Sequence, residues 1–547
     1  NKQFIMKKFK VILMIFLSTS CNNNNIITWE NYDEVDEIEY NSNHEIERMR
    51  YKRIQSIFRN KNDIFEPFHS FIRSYDTAEY DSLKKLILNK DISFIQSQIL
   101  NKNLSYEKLV KFFIYRIYLF EMDKEFYLNS IISLNPNVID QAKRMDKKEA
   151  TNLLYGMPIL IKDNINVKNM ITSAGASVLS NNLVDEDAFV VEQLKEKDIL
   201  ILGKLNMSEW AYYFCRPCPV GYSSIGGQTL NPYGRKKFES GGSSSGSGVS
   251  IAANFAVAAL GSETSGSILS PSSKNSLVGL KPTVGSISRT GVIPISSFFD
   301  TVGPMTKNVY DNALIYNSLI GFDKNDELSF LSKKIDLNKM KNFNTSKVKI
   351  GFSSEYLNNS IFSNAVKDLN AIGIKTKSFE PNKIILPYFR KILTSDMKRD
   401  LPKYILEHAN KDLVIKDIDD IVKFNNENII LHAPYNQHLF NEIVYDTVTD
   451  SSLVEMKKIT KVEANKFLNK IMDDNDFDVF ISVDNDMAGI AAAAHFPALT
   501  VPMGYQKDGQ PTNITFITRS FKEQLLYNLG YAYEKKSKKR KSPKNYN

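Results

Sequence analysis

Lys162 closes the apolar run of GMPILIKDNI, and residues 239–267 read ESGGSSSGSGVSIAANFAVAALGSETSGS, a tract dense in Gly and Ser. A lysine delivered by a buried strand end loses its hydration, so its pKa falls and it can act as a general base near neutral pH. Ser267, in the turn Glu263-Thr-Ser-Gly-Ser, is the kind of hydroxyl such a base would serve. The plainer alternative is a Lys162 that snorkels to solvent and pairs with Asp163.

Two other chemistries compete for the Gly/Ser tract. A phosphate cradle needs a lysine after the glycines or a third glycine in GxGxxG spacing; Ile251 stands at that third position and no lysine follows. Gly242-Ser-Ser-Ser-Gly246 also satisfies GxSxG, which would make Ser244 a nucleophile with His495 as the histidine of its triad. An elbow of that kind wants an apolar strand before it, and the preceding NPYGRKKFES is polar and turn-like.

The elements that must position these residues follow from periodicity. Leu109, Phe112, Phe113, Ile117 and Phe120 recur at helical spacing, so residues 80–150 are expected to form a helical layer. From 155 to 310, strand-like runs at 158–161, 199–202 and 292–295 alternate with helical stretches, the apolar run 249–260 among them. Residues 320–475 are Lys- and Asn-rich and read as helices outside the sheet. Strands at 479–483 and 498–501 and a helix at 522–533 complete the pattern. The expected fold is α/β: a single large domain whose mixed central sheet is covered by helices on both faces.

The whole chain has 547 residues, 42% apolar and 24% charged, and only 3 cysteines, which excludes a disulfide scaffold and a multi-span membrane protein. Its net charge of +8 lies at the two ends, and the stretch between residues 20 and 535 carries −3, so no basic nucleic-acid face is expected. Near the start, MKKFKVILMIFLSTSC has a lysine-bearing segment, an apolar run shorter than the roughly 20 residues a spanning helix needs, and a cysteine. It resembles a bacterial lipoprotein signal, which implies removal of residues 1–20, acylation of Cys21 and a lipid anchor in the cell envelope. The expected organisation is then a signal at 1–20, a polar tether with surface helices at 21–78, the catalytic domain at 79–534 and a basic tail at 535–547.

GMPILIKDNI, GGQTLNPYG, GGSSSGSGVSIAANFAVAALGSETSGSI, VGLKPTVGSISRTGVIPISSFFDTVGPM and the late AAAAHFPALTVPMGY, in that order, resemble the amidase signature family. The likeness runs from about Leu104 to Asn312, resumes from Phe477 to Glu534, and is nearest to the peptide-amidase-like branch. It implies a Ser-cisSer-Lys triad in which Ser267 is the nucleophile, Ser243 the bridging serine after a cis peptide, and Lys162 the base. It also implies an oxyanion hole from the backbone N–H groups of Thr264, Ser265, Gly266 and Ser267, with no metal or organic cofactor and an amide substrate. No obligate protein partner is implied.

Three positions depart from the family pattern. Ser265 replaces a usual Gly or Asp, Leu269 a usual Arg, and His495 a common Gly; His495 is expected to be half-exposed. Glu263 and Asn275 are expected to brace the nucleophile turn. Cys215 and Cys218 form a CxxC without a second ligand pair, so two free or locally oxidised thiols are expected in place of zinc. Trp210 and Tyr212 belong either to the core or to a pocket wall. Two alternatives to a serine amidase stay open: a non-catalytic amidase-fold lipoprotein, and the A-type subunit of a tRNA-dependent amidotransferase, against which the lipoprotein-like start argues.

Overall fold

The computed structural model describes residues 25–380 and 384–547; the signal-like segment and Cys21 lie outside the described residues. Eleven strands form one sheet: β1 (Ile131–Leu134), β2 (Pro158–Lys162), β3 (Leu200–Leu205), β4 (Ala258–Glu263), β5 (Val278–Lys281) and β6 (Thr301–Thr306) come first. They are followed by β7 (Lys349–Ser353), β8 (Lys375–Phe379), β9 (Val479–Val483), β10 (Ala498–Tyr505) and β11 (Pro511–Ile517). The spatial order is β1-β3-β2-β4-β6-β5-β10-β11-β9-β7-β8. Parallel pairs (β3-β2-β4 and β9-β7-β8) are joined through an antiparallel middle, so the sheet is mixed.

Every residue of β2, β3 and β4 is buried, because helices cover both faces of this part of the sheet. One of them, α1 (Tyr106–Glu121), starts at Ser105, whose hydroxyl accepts from Lys108 N–H, and buries Leu109, Phe112, Phe113 and Ile117. The expected helical layer is therefore present, with β1 inserted in it.

The structure corrects the sequence reading in three places. The stretch 320–475 supplies β7 and β8 as well as helices; β8 (KTKSF) is an edge strand whose lysines face solvent, which hides its strand character and protects its open edge. Residues 292–295 are not a strand: Val292 makes one isolated bridge to Ile165 and Pro294 follows shortly after. The apolar run 249–260 is not one helix. Helix α2 (Ser245–Ala252) ends before a left-handed Asn254, and β4 begins at Ala258, a break that a uniformly apolar run does not announce.

Both ends of the described chain join the body. Trp29, Ile54, Phe65 and Phe68 are buried in the main core. The tail packs back through Tyr546, whose hydroxyl donates to Phe126 O at 2.6 Å. A helical cap covers the strand ends near Lys162: α3 (Phe389–His408), α4 (Ile418–Glu427), α5 (His438–Val444) and α6 (Asp450–Asn475), which pack together with Trp210, Tyr213 and Phe299 in a second core cluster. Among the described residues no helix is long and apolar enough to cross a membrane.

Candidate active site

Lys162 is the last residue of β2 and is wholly buried. Its amine faces three oxygens: Ser243 Oγ at 2.8 Å, Ser262 Oγ at 2.9 Å and Ser262 O at 3.2 Å. No carboxylate in the described chain forms an ion pair with it, and burial pushes its pKa down to about 7 while Asp300 and Glu263, farther off, oppose the shift. The snorkelling alternative is thereby excluded. Asp163 points to the other side of the strand end, where its carboxylate accepts from Ser173 N–H at 3.1 Å and lies 3.4 Å from Lys204 Nζ.

The Gly/Ser tract brings Ser243 to this amine. The Gly242-Ser243 peptide is cis, as the family resemblance implies, and Ser243 O accepts from Ser208 N–H at 3.0 Å. Gly241 sits at φ +68° with its α-carbon against Pro271; a Cβ there would lie 2.6 Å from Pro271 Cα, so only glycine fits. Asn275 fastens the two segments, donating from Nδ2 to Ser240 O and to Pro271 O at 2.8 Å each.

Ser244 is not a nucleophile elbow. Its hydroxyl donates to Ser262 O at 3.1 Å and receives Ser262 N–H at 3.2 Å, and no imidazole touches it. His495 is buried, not half-exposed as expected. Its ring packs on Phe298 at 4.6 Å and its Nδ1 lies 3.1 Å from Lys461 Nζ; burial and the neighbouring cations push its pKa far down.

Ser267 follows β4 in a turn that is nearly closed to solvent at 9% exposure, and its carbonyl accepts from Ser244 N–H at 3.2 Å, which ties this turn to the Gly/Ser tract. Glu263 braces the turn as expected: Oε1 accepts from Gly266 N–H at 2.7 Å, and Oε2 from Ile268 and Leu269 N–H at 2.7 and 3.0 Å. This corrects one expectation. The Gly266 N–H is committed to Glu263, whereas the amides of Thr264, Ser265 and Ser267 donate to no group among the described residues. Burial raises the Glu263 pKa, and its three amide donors oppose that shift. Leu269 contributes a wholly buried apolar side chain and the third of those amides.

Around the turn, Thr264 Oγ1 donates to Asp300 at 2.5 Å, and burial pushes the Asp300 carboxyl up to about 6. Trp210, Ala211 and Tyr212 are consecutive left-handed residues at φ 50°, 54° and 73°. Trp210 is core, packed on Phe440 at 5.3 Å, and Tyr212 is half-buried with its hydroxyl on Cys218 O at 2.8 Å. Ala211, Asn164, Ser262 and Thr264 enclose a space of about 10 Å³. Arg289, Val292 and Asp300 line both this space and a cavity of about 300 Å³ that opens between the 289–300 loop and helices α3 and α6. Cys215 and Cys218 form a disulfide, the locally oxidised option, and among the described residues no three His, Cys, Asp or Glu gather to hold a metal ion.

Sequence reasoning missed Ser262 and Asn164. Both lay inside quoted motifs, and their type carried no signal of its own.

The single α/β domain with its mixed eleven-stranded sheet, and a lysine buried against serine hydroxyls, fit an enzyme that hydrolyses amide C–N bonds. The family model for amidases matches residues 109–527, and the chain belongs to that family. It is 32% identical to a probable amidase of Arabidopsis thaliana over 445 residues, 76% of this chain and 85% of that one. It is 30% identical to the A-type subunit of the glutamyl-tRNA(Gln) amidotransferase of Pediococcus pentosaceus over 485 residues, covering 81% and 96%. Among solved structures, an amidase family protein of Bacillus anthracis aligns with a TM-score of 0.85 at 33% identity, over 89% of this chain and 98% of that one. The peptide amidase of Stenotrophomonas maltophilia aligns with a TM-score of 0.77 at 28% identity, over 83% and 98%.

Proposed function

We propose that this amidase is a serine amidohydrolase that cleaves a carboxamide, such as a C-terminal peptide amide, through an acyl-enzyme on Ser267. The observation that carries the reading is the 2.8 Å contact between Ser243 Oγ and a buried Lys162 amine that has no ion-pair partner among the described residues. Neutral Lys162 takes the proton of Ser243, Ser243 takes that of Ser267, and Ser267 Oγ attacks the carbonyl carbon. The free amides of Thr264, Ser265 and Ser267 stabilise the oxyanion, each donor contributing about 3 kcal/mol. The ammonium of Lys162 returns its proton through Ser243 to the departing ammonia or amine, and water then releases the acid. The likeness to the Stenotrophomonas peptide amidase and the adjoining cavity of about 300 Å³ support a substrate of peptide size.

A fluorophosphonate probe tests this. Labelling abolished by Ser267→Ala supports it; absence of labelling in well-folded protein overturns it in favour of a non-catalytic binding module. Ammonia release from a panel of peptide, fatty and aryl amides then identifies the substrate.

A second reading, an A-type amidotransferase subunit that needs partner subunits, rests on the 30% identity to the Pediococcus protein. Glutamine as the sole productive amide, and only with partners present, would favour it. For the location we propose a lipid anchor on Cys21 in a bacterial cell envelope, supported by the motif MKKFKVILMIFLSTSC. Labelled palmitate incorporated by the native chain and lost in Cys21→Ser tests that reading.

A further inference from the structure

Resting on the reading of Lys162 as the base, we infer that Ser262 is its positioning residue, pinning two of the amine's hydrogens so that its lone pair faces Ser243. Of the three oxygens around the amine, Ser262 supplies two, its carbonyl at 3.2 Å and its hydroxyl at 2.9 Å. The carbonyl accepts only, so it takes one N–H. The hydroxyl could accept a second N–H or donate into the lone pair, and donation would block the base.

Asn164 decides between these. It lies one step beyond Asp163, and its Nδ2 donates to Ser262 Oγ at 3.0 Å and to Ile293 O at 3.2 Å. Its Oδ1, 3.3 Å from Ser262 Oγ, is the acceptor that draws the hydroxyl hydrogen away from the lysine. Ser262 itself is held in β4, paired with Val302 across the sheet and tied by its N–H to Ser244 Oγ. A neutral amine has two hydrogens and one lone pair; with both hydrogens on Ser262, the lone pair is left for the Ser243 hydroxyl. After proton transfer the ammonium places three hydrogens on the same three oxygens, so neither protonation state requires the amine to turn. Without the Ser262 hydroxyl, an N–H can occupy Ser243 Oγ, and the amine must rotate before it can take a proton.

The test is the pH profile of kcat/KM, with kcat and KM measured separately, for Ser262→Ala, Ser262→Thr and Asn164→Ala beside Lys162→Ala. Ser262→Ala is expected to lower kcat by about 10²-fold with little change in KM, the cost of a misoriented group. Its acid limb is expected to move to lower pH by about half a unit, because the ammonium loses an acceptor. Ser262→Thr, which keeps the hydroxyl, restores both. Asn164→Ala lowers kcat in the same sense and keeps the inference testable if Ser262→Ala fails to fold. An inactive Lys162→Ala together with a Ser262→Ala whose kcat and acid limb match the native enzyme overturns the inference alone, as does a Thr variant as impaired as the Ala. A Lys162→Ala that still turns over overturns the base assignment, and this inference with it.

Discussion

Lys162 and Ser243 meet at 2.8 Å without an ion-pair partner for the amine among the described residues, so the charged form of the lysine has only serine oxygens to replace its lost water. With the pKa at about 7, the amine is half neutral near neutral pH. In its proposed role as the base, it is blocked when protonated. The expected outcome is a kcat/KM that falls as pH drops below about 7 and levels off above it, read on any productive amide.

The same burial costs stability. The folded pKa of about 7 lies below the ordinary 10.5, so between these values the unfolded chain holds a proton that the folded chain has shed. Stability therefore rises with pH through that window, and at pH 7 the burden is at most roughly 4 kcal/mol. Lys162→Met is expected to abolish turnover yet melt at a higher temperature than the native enzyme. The gap should narrow as pH approaches 10, and a scan of melting temperature against pH for both proteins checks this.

Glu263 gathers three backbone amides on one buried carboxylate. Leaving a buried donor unpaired costs about 1 to 3 kcal/mol, so Glu263→Ala is expected to lose about 3 kcal/mol or more and to blur the turn that carries Ser267. Denaturant unfolding measures the first effect and kcat the second. Glu263→Gln, with one acceptor oxygen in place of two, should fall between native and Ala.

How much of the fold and site was legible in the sequence depends on what each residue had to say locally. The run into Lys162 announced a buried strand with a lysine at its end, because apolar residues on both faces leave no other place for it. The proposed pairing of Ser243 with Ser267 rests on the ordered motifs, since nothing in the spacing alone chooses among the serines of the tract. Edge strand β8 was hidden by Lys375 and Lys377, whose role is to stay wet. Ser262 was silent because its importance lies in which way its hydroxyl hydrogen points, a property set by Asn164 from another segment. The Gly266 N–H was misassigned because sequence motifs count donors but do not show which are already taken.

His495 gives a clean contrast. Buried against Phe298 and, among the described residues, without contact to any serine of the cluster, it has no part in the proposed proton relay. Its backbone is left-handed at φ 61°, which asparagine tolerates well. His495→Asn is expected to keep native kcat and an unchanged acid limb; loss of that limb would revive an imidazole base.

The C-terminal segment reaches the Gly/Ser tract from behind. Arg116, buried in α1, donates through Nε and Nη2 to Ala253 O at 3.1 and 3.0 Å, where α2 ends, and through Nη2 to Tyr546 O at 2.5 Å. The tail thus supplies an acceptor to a guanidinium that also holds the helix following Ser243. Deleting residues 538–547 removes that acceptor and uncovers Phe120, on which the Tyr546 ring packs at 4.9 Å. A buried donor left unpaired costs about 1 to 3 kcal/mol, and loss of a buried aromatic about 3 to 5. The truncated enzyme is therefore expected to unfold at clearly lower denaturant, yet to keep native kcat under conditions where it is folded, because Arg116 retains both bonds to Ala253. A truncation that lowers kcat without lowering stability would place the tail in the catalytic machinery instead.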